Sequence, residues 1–123
     1  RAASRIGHPN IIDVTDFGTT KEGMTFQVME YLVGQTLSSM LHDAKLLSLS
    51  RALTIVAQMA RALGAAHSKG VVHRDLKPEN VLIDPRGHVR ILFSCTNFCA
   101  PLLISAGHLF SDVMFGLIIL VPL

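Results

Sequence analysis

Cysteine is scarce in this sequence of 123 residues, which contains two, Cys95 and Cys99. Two thiols are too few for a disulfide scaffold and suit a reducing compartment, so we expect a cytoplasmic location. No apolar run follows the first residues, Arg1 to Arg5, so we expect no secretory signal peptide here. An initiator Met is also missing at the start, which indicates a chain that begins inside a longer reading frame.

A strong charge of one sign is absent too. The formal net charge is +2 with His neutral, and the basic residues are scattered along the chain. This pattern gives no reason to expect nucleic acid or an anionic membrane surface as a partner. The length fits a single domain with a modest core.

Charge disappears almost completely from the end of the chain. Of 11 Lys and Arg and 9 Asp and Glu residues, only Asp112 lies after residue 92. An ordinary soluble domain is about a quarter charged throughout. We therefore predict two parts, residues 1–92 and an apolar tail, 93–123, with the boundary between 92 and 93.

Three explanations of the apolar tail stay open. A frameshift or misjoined sequence after Leu92 is favoured by the abrupt loss of charge. A membrane segment is not favoured, because the run from Val113 to Leu123 has 11 residues and a spanning helix needs about 20. A divergent C-terminal piece is the third, but Cys95 and Cys99 alone make a weak zinc site, since structural zinc takes four ligands.

The first third of the chain predicts a short helix and a hairpin. Residues 1–7 have helix-compatible composition and end at Gly7, a suitable C-terminal cap. β-branched and alternating apolar residues predict strands over 11–17 and 24–31. A polar turn over 18–23 joins them, so we expect an antiparallel hairpin.

Two helices are predicted next. Thr36 is a good N-cap for a short helix that ends near His42, and Ser50 is the predicted cap of a longer one that ends near Gly70. The long helix carries apolar residues at three- and four-residue steps, which predict its buried stripe. The members of that stripe are Leu53, Val56, Ala57, Ala60, Leu63 and Ala66.

Short strands are predicted after the long helix. Apolar runs at 71–72 and 81–83 enclose a polar octet and read as two strands joined by a loop. A tight turn at 84–87 and a further strand at 89–92 follow.

The polar octet 73–80 reads His-Arg-Asp-Leu-Lys-Pro-Glu-Asn. Phosphoryl transfer needs a carboxylate near the attacking hydroxyl, a cation near the phosphate and an oxygen ligand for a hard metal ion. Asp75, Lys77 and Asn80 supply one of each within six positions. Pro78 restricts the backbone between them. The alternative is a solvated polar turn between strands, and the complete ordered octet argues against it.

The octet resembles the catalytic loop of protein kinases, in the form found in the serine/threonine branch. By that resemblance Asp75 is the catalytic base, Lys77 contacts the γ-phosphate of ATP and Asn80 binds a Mg²⁺ ion. Arg74 would pair with a phosphorylated activation loop. His73 would be a structural residue packed beneath the loop.

The resemblance extends over residues 1–92 and is similar in its details to bacterial members of the family. Segment 7–11 looks like the junction between the family's αC helix and its fourth strand. Segment 28–32 looks like the fifth strand running into the hinge between the two lobes. The long helix at 50–69 would then be the family's αE.

Four residues would line the adenine site by the same resemblance. Met29 would be the gatekeeper, and the backbone of Glu30 and Leu32 would meet the adenine edge. Leu82 would form the apolar floor beneath the base. Plain core burial stays an alternative for Met29 and Leu82.

Several parts of a complete kinase are not in this sequence. The Gly-rich phosphate loop, the strand-three Lys and the αC Glu would lie before residue 1. After Leu92 the family has Asp-Phe-Gly, whose Asp chelates Mg²⁺, whereas this chain has Phe93-Ser94-Cys95. The triplet Asp16-Phe17-Gly18 has the right letters but precedes the catalytic loop, so we assign it to the hairpin.

The sequence as a whole predicts an α+β fold, namely part of the two-lobed protein kinase fold. It would comprise the last hairpin of the N-lobe, the hinge, the family's αD and αE helices and the catalytic loop, with an apolar tail that does not match. The resemblance implies transfer of the ATP γ-phosphate to Ser or Thr of a protein substrate, with Mg²⁺ as cofactor. We expect little or no activity from this chain alone. The alternatives are a non-catalytic, pseudokinase-like binding module and, less favoured, a fragment that its tail anchors to a membrane.

Overall fold

The structure, a computed structural model, describes residues 6–44, 46–93 and 117–121. These residues form short strands and helices that belong to two compact units. The first unit contains Asp13–Tyr31 and the strand near the end of the chain. The second contains Ile6–Ile12 and Leu32–Phe93. The mixture of helices with small antiparallel sheets confirms the predicted α+β class.

The first unit is a hairpin extended by a third strand. Strand β1 (Val14–Thr19) pairs antiparallel with β2 (Thr25–Glu30), which confirms the predicted hairpin. The turn closes with a hydrogen bond of 3.0 Å from the Gly23 N–H to the Thr20 carbonyl oxygen. Strand β6 (Leu117–Val121) runs parallel to β2 on its other edge.

The predicted bounds of the first strand were wrong at both ends. Ile11 and Ile12 do not belong to β1, because they are buried in the second unit and pair there with Ile91. The Ile12 N–H donates to the Ile91 carbonyl oxygen at 2.9 Å. Gly18 was predicted in the turn but continues β1, opposite Phe26.

The second unit holds a small antiparallel sheet. Strand β4 (Val81–Ile83) lies between β3 (Gln35–Thr36) and β5 (Val89–Ile91). The tight turn predicted between β4 and β5 is confirmed by a 3.0 Å hydrogen bond from the Gly87 N–H to the Asp84 carbonyl oxygen. The two-residue strand β3 was not predicted, because so short a segment shows no alternation.

The helices form where the sequence predicts them, but one cap is different. Helix α1 (Leu37–Ala44) begins after Thr36, whose Oγ1 accepts from the Ser39 N–H at 3.1 Å. Helix α2 (Leu49–Ser68) is capped by Ser48 and not by Ser50. The Oγ of Ser48 accepts from the Arg51 N–H at 3.3 Å, the three-residue reach that an N-cap side chain has.

The buried face of α2 also differs from the predicted stripe. Leu53 and Val56 are 59% and 58% exposed, whereas Ile55 is 5% exposed. The helix turns the residues at 55, 59, 62 and 66 inward, at steps of four, three and four. Ile55 packs with α1 and with strands β4 and β5; the cluster comprises Met40, Ile55, Val81, Ile83 and Val89. Of the predicted stripe, only Ala66 is fully buried.

A polar contact fixes β5 between the N-terminal segment and α2. The Gln58 side-chain oxygen accepts from the Val89 N–H and from the Asn10 side-chain amide, both at 3.0 Å. The same Asn10 amide donates to the Val89 carbonyl oxygen at 2.8 Å. Three segments that are distant in sequence are therefore joined at the strand that leads to Phe93.

One further strand prediction was wrong, and two other predictions fall on residues that the structure does not describe. Residues 71–72 form no strand, because the Val71 N–H donates to the Ala66 carbonyl oxygen and closes the end of α2. Gly70 has φ of 75°, as a C-terminal cap requires. The helix predicted at 1–7, apart from Ile6 and Gly7, lies outside the described residues, as do Cys95 and Cys99. Across the described parts, no helix has both the length and the apolar character needed to cross a bilayer.

Candidate active site

The octet forms an ordered loop between α2 and β4. Its last three residues, Pro78–Asn80, make one turn of 3₁₀ helix, and the Val81 N–H donates to the Pro78 carbonyl oxygen. A proline at the start of a helix loses no hydrogen bond, because a backbone N–H at that position has no partner within the helix. The Leu92 N–H donates to the Asn80 carbonyl oxygen at 2.8 Å, which attaches the end of the loop to the residues after β5.

His73 is the buried anchor of the loop. It is 3% exposed, and its Nε2 lies 2.8 Å from the Leu92 carbonyl oxygen. Its Nδ1 accepts from the Asp75 N–H at 3.3 Å. A carbonyl oxygen only accepts, so Nε2 carries the proton, and one neutral tautomer satisfies both contacts. The structural role predicted for His73 fits this arrangement.

Three of the predicted site residues lie together on the exposed side of the loop. The Lys77 ammonium lies 3.5 Å from the Asp75 carboxylate, with the side chains 50% and 66% exposed. The Asn80 side-chain amide donates to the Asp75 carbonyl oxygen at 3.0 Å. An exposed ion pair contributes little to stability. The carboxylate and the ammonium are therefore available to a reactant.

Arg74 has a backbone conformation that sequence reasoning did not predict. Its φ is 64°, the left-handed region that a side chain with a Cβ rarely adopts. The conformation turns the chain between the buried His73 and the exposed Asp75. Such a conformation costs roughly 1–3 kcal/mol and persists only where the surroundings hold it. The hydrogen bonds of His73 are the holding contacts that the structure provides.

The predicted adenine residues belong to different units. Met29, 6% exposed, and Glu30 lie in β2 of the first unit. The Glu30 N–H donates to the Asp13 carbonyl oxygen at 3.2 Å. Leu32 and Leu82 belong to the second unit and are half-buried.

Leu82 is placed differently from its neighbours in β4. Val81 and Ile83 are 0% and 2% exposed, whereas Leu82 is half-buried between them. Alternate residues of a strand point to opposite faces. Leu82 therefore lies on the face away from the core, where an apolar side chain is available to a flat ligand.

The position assigned to the metal carboxylate holds a buried aromatic ring. Phe93 is 1% exposed, and its ring lies 4.5 Å from the ring of His73 at an angle of 58°. Among the described residues, no three His, Cys, Asp or Glu side chains are grouped as metal ligands. Mg²⁺ usually keeps several waters and binds one or two carboxylates together with phosphate oxygens, whereas this loop offers the Asn80 amide oxygen and an Asp75 carboxylate that is paired with Lys77. The part of the chain that the structure describes therefore shows no grouped set of carboxylates for Mg²⁺.

The triplet at 16–18 stays a feature of the hairpin. Asp16, Phe17 and Gly18 all lie in β1. The Asp16 carboxylate accepts from the Phe17 N–H at 2.8 Å, a local contact that needs no metal.

Comparisons with known proteins agree with this geometry. The family model described as "Protein kinase domain" matches residues 1–93. The chain is 49% identical over 86 residues to the serine/threonine-protein kinase pkn3 of Myxococcus xanthus, covering 70% of this chain and 16% of that protein. It is 44% identical over 95 residues to the serine/threonine-protein kinase PknA of Mycobacterium tuberculosis, covering 74% and 22%.

A third relative is the probable serine/threonine-protein kinase pknA2 of Bifidobacterium longum, 43% identical over 90 residues, covering 73% of this chain and 12% of that protein. The chain belongs to the protein kinase domain family. Its relatives are bacterial serine/threonine-protein kinases by name, which confirms the resemblance stated from the octet. The chain spans between 12% and 22% of the length of these three relatives.

Proposed function

We propose that this chain is the catalytic-loop portion of a bacterial-type protein kinase that transfers the γ-phosphate of ATP to a Ser or Thr hydroxyl of a protein. One observation carries the proposal. The exposed carboxylate of Asp75 and the ammonium of Lys77 lie 3.5 Å apart on a loop whose backbone is fixed by His73 and Asn80. We also propose that residues 1–92 are the kinase portion, that it works in the cytoplasm, and that residues 93–123 depart from the family pattern, even though Phe93 packs on His73 and β6 pairs with β2.

The reaction assigns a role to each exposed side chain of the loop. The hydroxyl oxygen of the substrate bonds to the γ-phosphorus while the bond from that phosphorus to the β,γ-bridging oxygen breaks, and ADP leaves. Asp75 orients the hydroxyl and takes its proton. Lys77 offsets negative charge on the transferred group. Arg74 is free to meet a phosphorylated segment, because its side chain is exposed.

The nucleotide would be held by the predicted adenine residues. Leu82 offers an apolar surface on the outer face of β4, and Leu32 is half-buried in the same unit. Met29 and the backbone of Glu30 are proposed as adenine contacts on the family resemblance alone. By the family resemblance, the Asn80 amide oxygen would be one Mg²⁺ ligand beside phosphate oxygens of ATP and water.

Exchange of the loop into a relative tests the proposed role. Residues 73–83 would replace the corresponding segment of Mycobacterium tuberculosis PknA, and transfer of labelled phosphate from ATP to a Ser- and Thr-containing protein would be measured. We expect activity within about tenfold of the parent kinase, because the loop is intact. The same exchange with Asp75→Asn should lose about 10²–10⁴-fold. A folded but inactive exchange, or full activity of the exchange that carries Asp75→Asn, would refute the role.

A non-catalytic binding module is the second candidate, and the burial of Phe93 favours it. A chain without the metal carboxylate could still bind nucleotide. Thermal unfolding of the 123-residue chain with ATP, with and without Mg²⁺, separates the two candidates. Stabilisation that does not depend on Mg²⁺ would support the binding module. No stabilisation by ATP under either condition would leave a fragment of a catalytic domain.

A further inference from the structure

The side chain at position 93 is a buried aromatic ring that packs on the catalytic-loop residue His73. Phe93 is 1% exposed and packs its ring against that of His73, 4.5 Å between centroids. The family resemblance expects a metal-binding carboxylate here, directed toward a phosphate. In this chain the side chain is directed into the interior. Position 93, where the family resemblance expects a metal ligand, therefore holds a buried core side chain in this chain.

The packing of Phe93 on His73 affects the backbone of Asp75 through the two hydrogen bonds of the His73 ring. Phe93 covers one side of the His73 ring, and the ring bonds to the Leu92 carbonyl oxygen through Nε2 at 2.8 Å. With the ring fixed, Nδ1 faces the Asp75 N–H at 3.3 Å. Loss of the aromatic cover would let the imidazole rotate or admit water. The Asp75 N–H would then lose its second acceptor and keep only its 2.9 Å hydrogen bond to the His73 carbonyl oxygen, next to the strained Arg74.

We propose that Phe93 is a positioning residue of the catalytic loop, which acts through His73 to fix the backbone of Asp75. The inference rests on the proposed function only for the role of Asp75. A carboxylate in place of the Phe93 ring would find both His73 nitrogens already bonded, so we expect it to gain no hydrogen bond from the imidazole. A carboxylate buried without hydrogen-bond partners destabilises a fold.

The test measures the loop directly in the 123-residue chain, without nucleotide. Amide hydrogen exchange of Asp75, divided by that of Ile83 in β4, reports local opening of the loop. The ¹⁵N shifts of the His73 ring report which nitrogen carries the proton. Phe93→Leu keeps an apolar side chain but removes the ring. Val89→Ala is the matched control, because Val89 is 0% exposed in β5 and packs in the cluster around Ile55.

Phe93→Leu should raise the exchange ratio about threefold, because the Asp75 N–H loses the weaker of its two acceptors, His73 Nδ1, and keeps the His73 carbonyl oxygen. It should also populate the second imidazole tautomer. Val89→Ala should lower overall stability but leave both readouts unchanged. An unchanged ratio in Phe93→Leu, or an equal rise in Val89→Ala, would overturn the inference.

Phe93→Asp supplies a second, independent arm. We expect a less stable chain whose Asp75 and Asn80 amide signals respond to Mg²⁺ no more than those of the unsubstituted chain. A cooperative fold with a new response to Mg²⁺ at those two amides would contradict the assignment of position 93 to the core. The exchange of the loop into PknA addresses the proposed function separately, since it contains residues 73–83 and not Phe93.

Discussion

The side-chain amide of Asn80 donates a hydrogen bond of 3.0 Å to the backbone carbonyl oxygen of Asp75, five residues earlier. This contact spans the catalytic loop and joins the predicted metal ligand to the predicted base. It fixes the orientation of Asn80, because only the NH₂ end of the amide can donate. The amide oxygen is consequently the end that remains for a metal or a substrate.

Removal of that amide should loosen the loop without unfolding the unit. Asn80→Ala deletes the donor, and we expect a loss of about 0.5–1.5 kcal/mol in the free energy of unfolding. Asn80→Asp should cost more, because a carboxylate cannot donate to the Asp75 carbonyl oxygen and repels it. Urea titration of both variants provides the measurement. Equal stability of all three chains would show that the contact does not hold the loop.

Two glycines should respond in opposite ways to the same substitution. Gly64 lies within α2, and a Cβ there meets no atom within 4 Å. Gly64→Ala should stabilise the chain by about 0.5–1 kcal/mol, since Ala has the higher helix propensity. Gly34 has φ of 154°, and a Cβ there would collide with the Ile83 carbonyl oxygen. Gly34→Ala should destabilise by about 2 kcal/mol or more.

Thermal and urea unfolding of the Gly34 and Gly64 variants check these signs. The two substitutions add the same methyl group, so each is the control of the other. A loss of stability at Gly64, or none at Gly34, would contradict the described backbone.

The cap of α2 is a third test, because the sequence favoured one serine and the structure uses another. Ser48→Ala removes the oxygen that accepts from the Arg51 N–H at 3.3 Å, and should cost about 1 kcal/mol. Ser50→Ala in the first turn should change stability little or raise it slightly, since Ala favours the helix. The denaturant midpoints of the two variants provide the measurement. A larger loss of stability in Ser50→Ala than in Ser48→Ala would identify Ser50 as the cap.

Acid should weaken the turn between β4 and β5. The backbone N–H of His88, at 2.9 Å, is the main group that lowers the pKa of Asp84 below its ordinary value of 3.8, and the Arg86 N–H adds to it at 2.8 Å. A lowered folded-state pKa means that the ionised carboxylate stabilises the fold above pH 3.8. That contribution is lost as the pH falls through the folded-state pKa.

Asp84→Asn is the matched variant for this prediction. It keeps the oxygen that accepts the two backbone N–H groups but does not titrate. The melting temperature should fall less steeply below about pH 4 for the variant than for the unsubstituted chain. Identical slopes in this range would show that the Asp84 carboxylate does not link the turn to pH.

The loop at 73–80 was the part of the candidate site whose geometry the sequence predicted best. Asp75, Lys77 and Asn80 are close in sequence, and the short loop that holds them leaves few ways to separate them. The hairpin β1–β2 and the turn at 84–87 were predictable for the same reason, since their contacts are local. The family membership followed from the same octet.

The wrong predictions arose where the local sequence was compatible with two different structures. Helix α2 carries apolar residues on more than one face, so the sequence could not decide between Leu53 with Val56 and Ile55 as the buried side. That choice depends on β4 and β5, which lie far along the chain. Ile11 and Ile12 likewise read as a strand, and only their pairing with Ile91 places them in the second unit.

The role of Phe93 could not be predicted from local sequence. An apolar residue after an apolar strand suggests only that the strand continues. Its contact with His73 joins positions that are distant along the chain. The spacing of the two residues in the sequence does not predict this contact. The left-handed backbone of Arg74 also escaped prediction, because that conformation is rare outside Gly, Asn and Asp.

The central claim is that an intact catalytic loop stands beside a position where a buried Phe93 replaces the metal carboxylate. The most direct measurement is transfer of labelled phosphate from ATP and Mg²⁺ to a Ser- and Thr-containing protein by the purified 123-residue chain, compared with its Asp75→Asn variant. We predict no transfer above background from either chain. Transfer by the unsubstituted chain that Asp75→Asn abolishes would contradict the claim, since it would show phosphoryl transfer without a carboxylate at position 93.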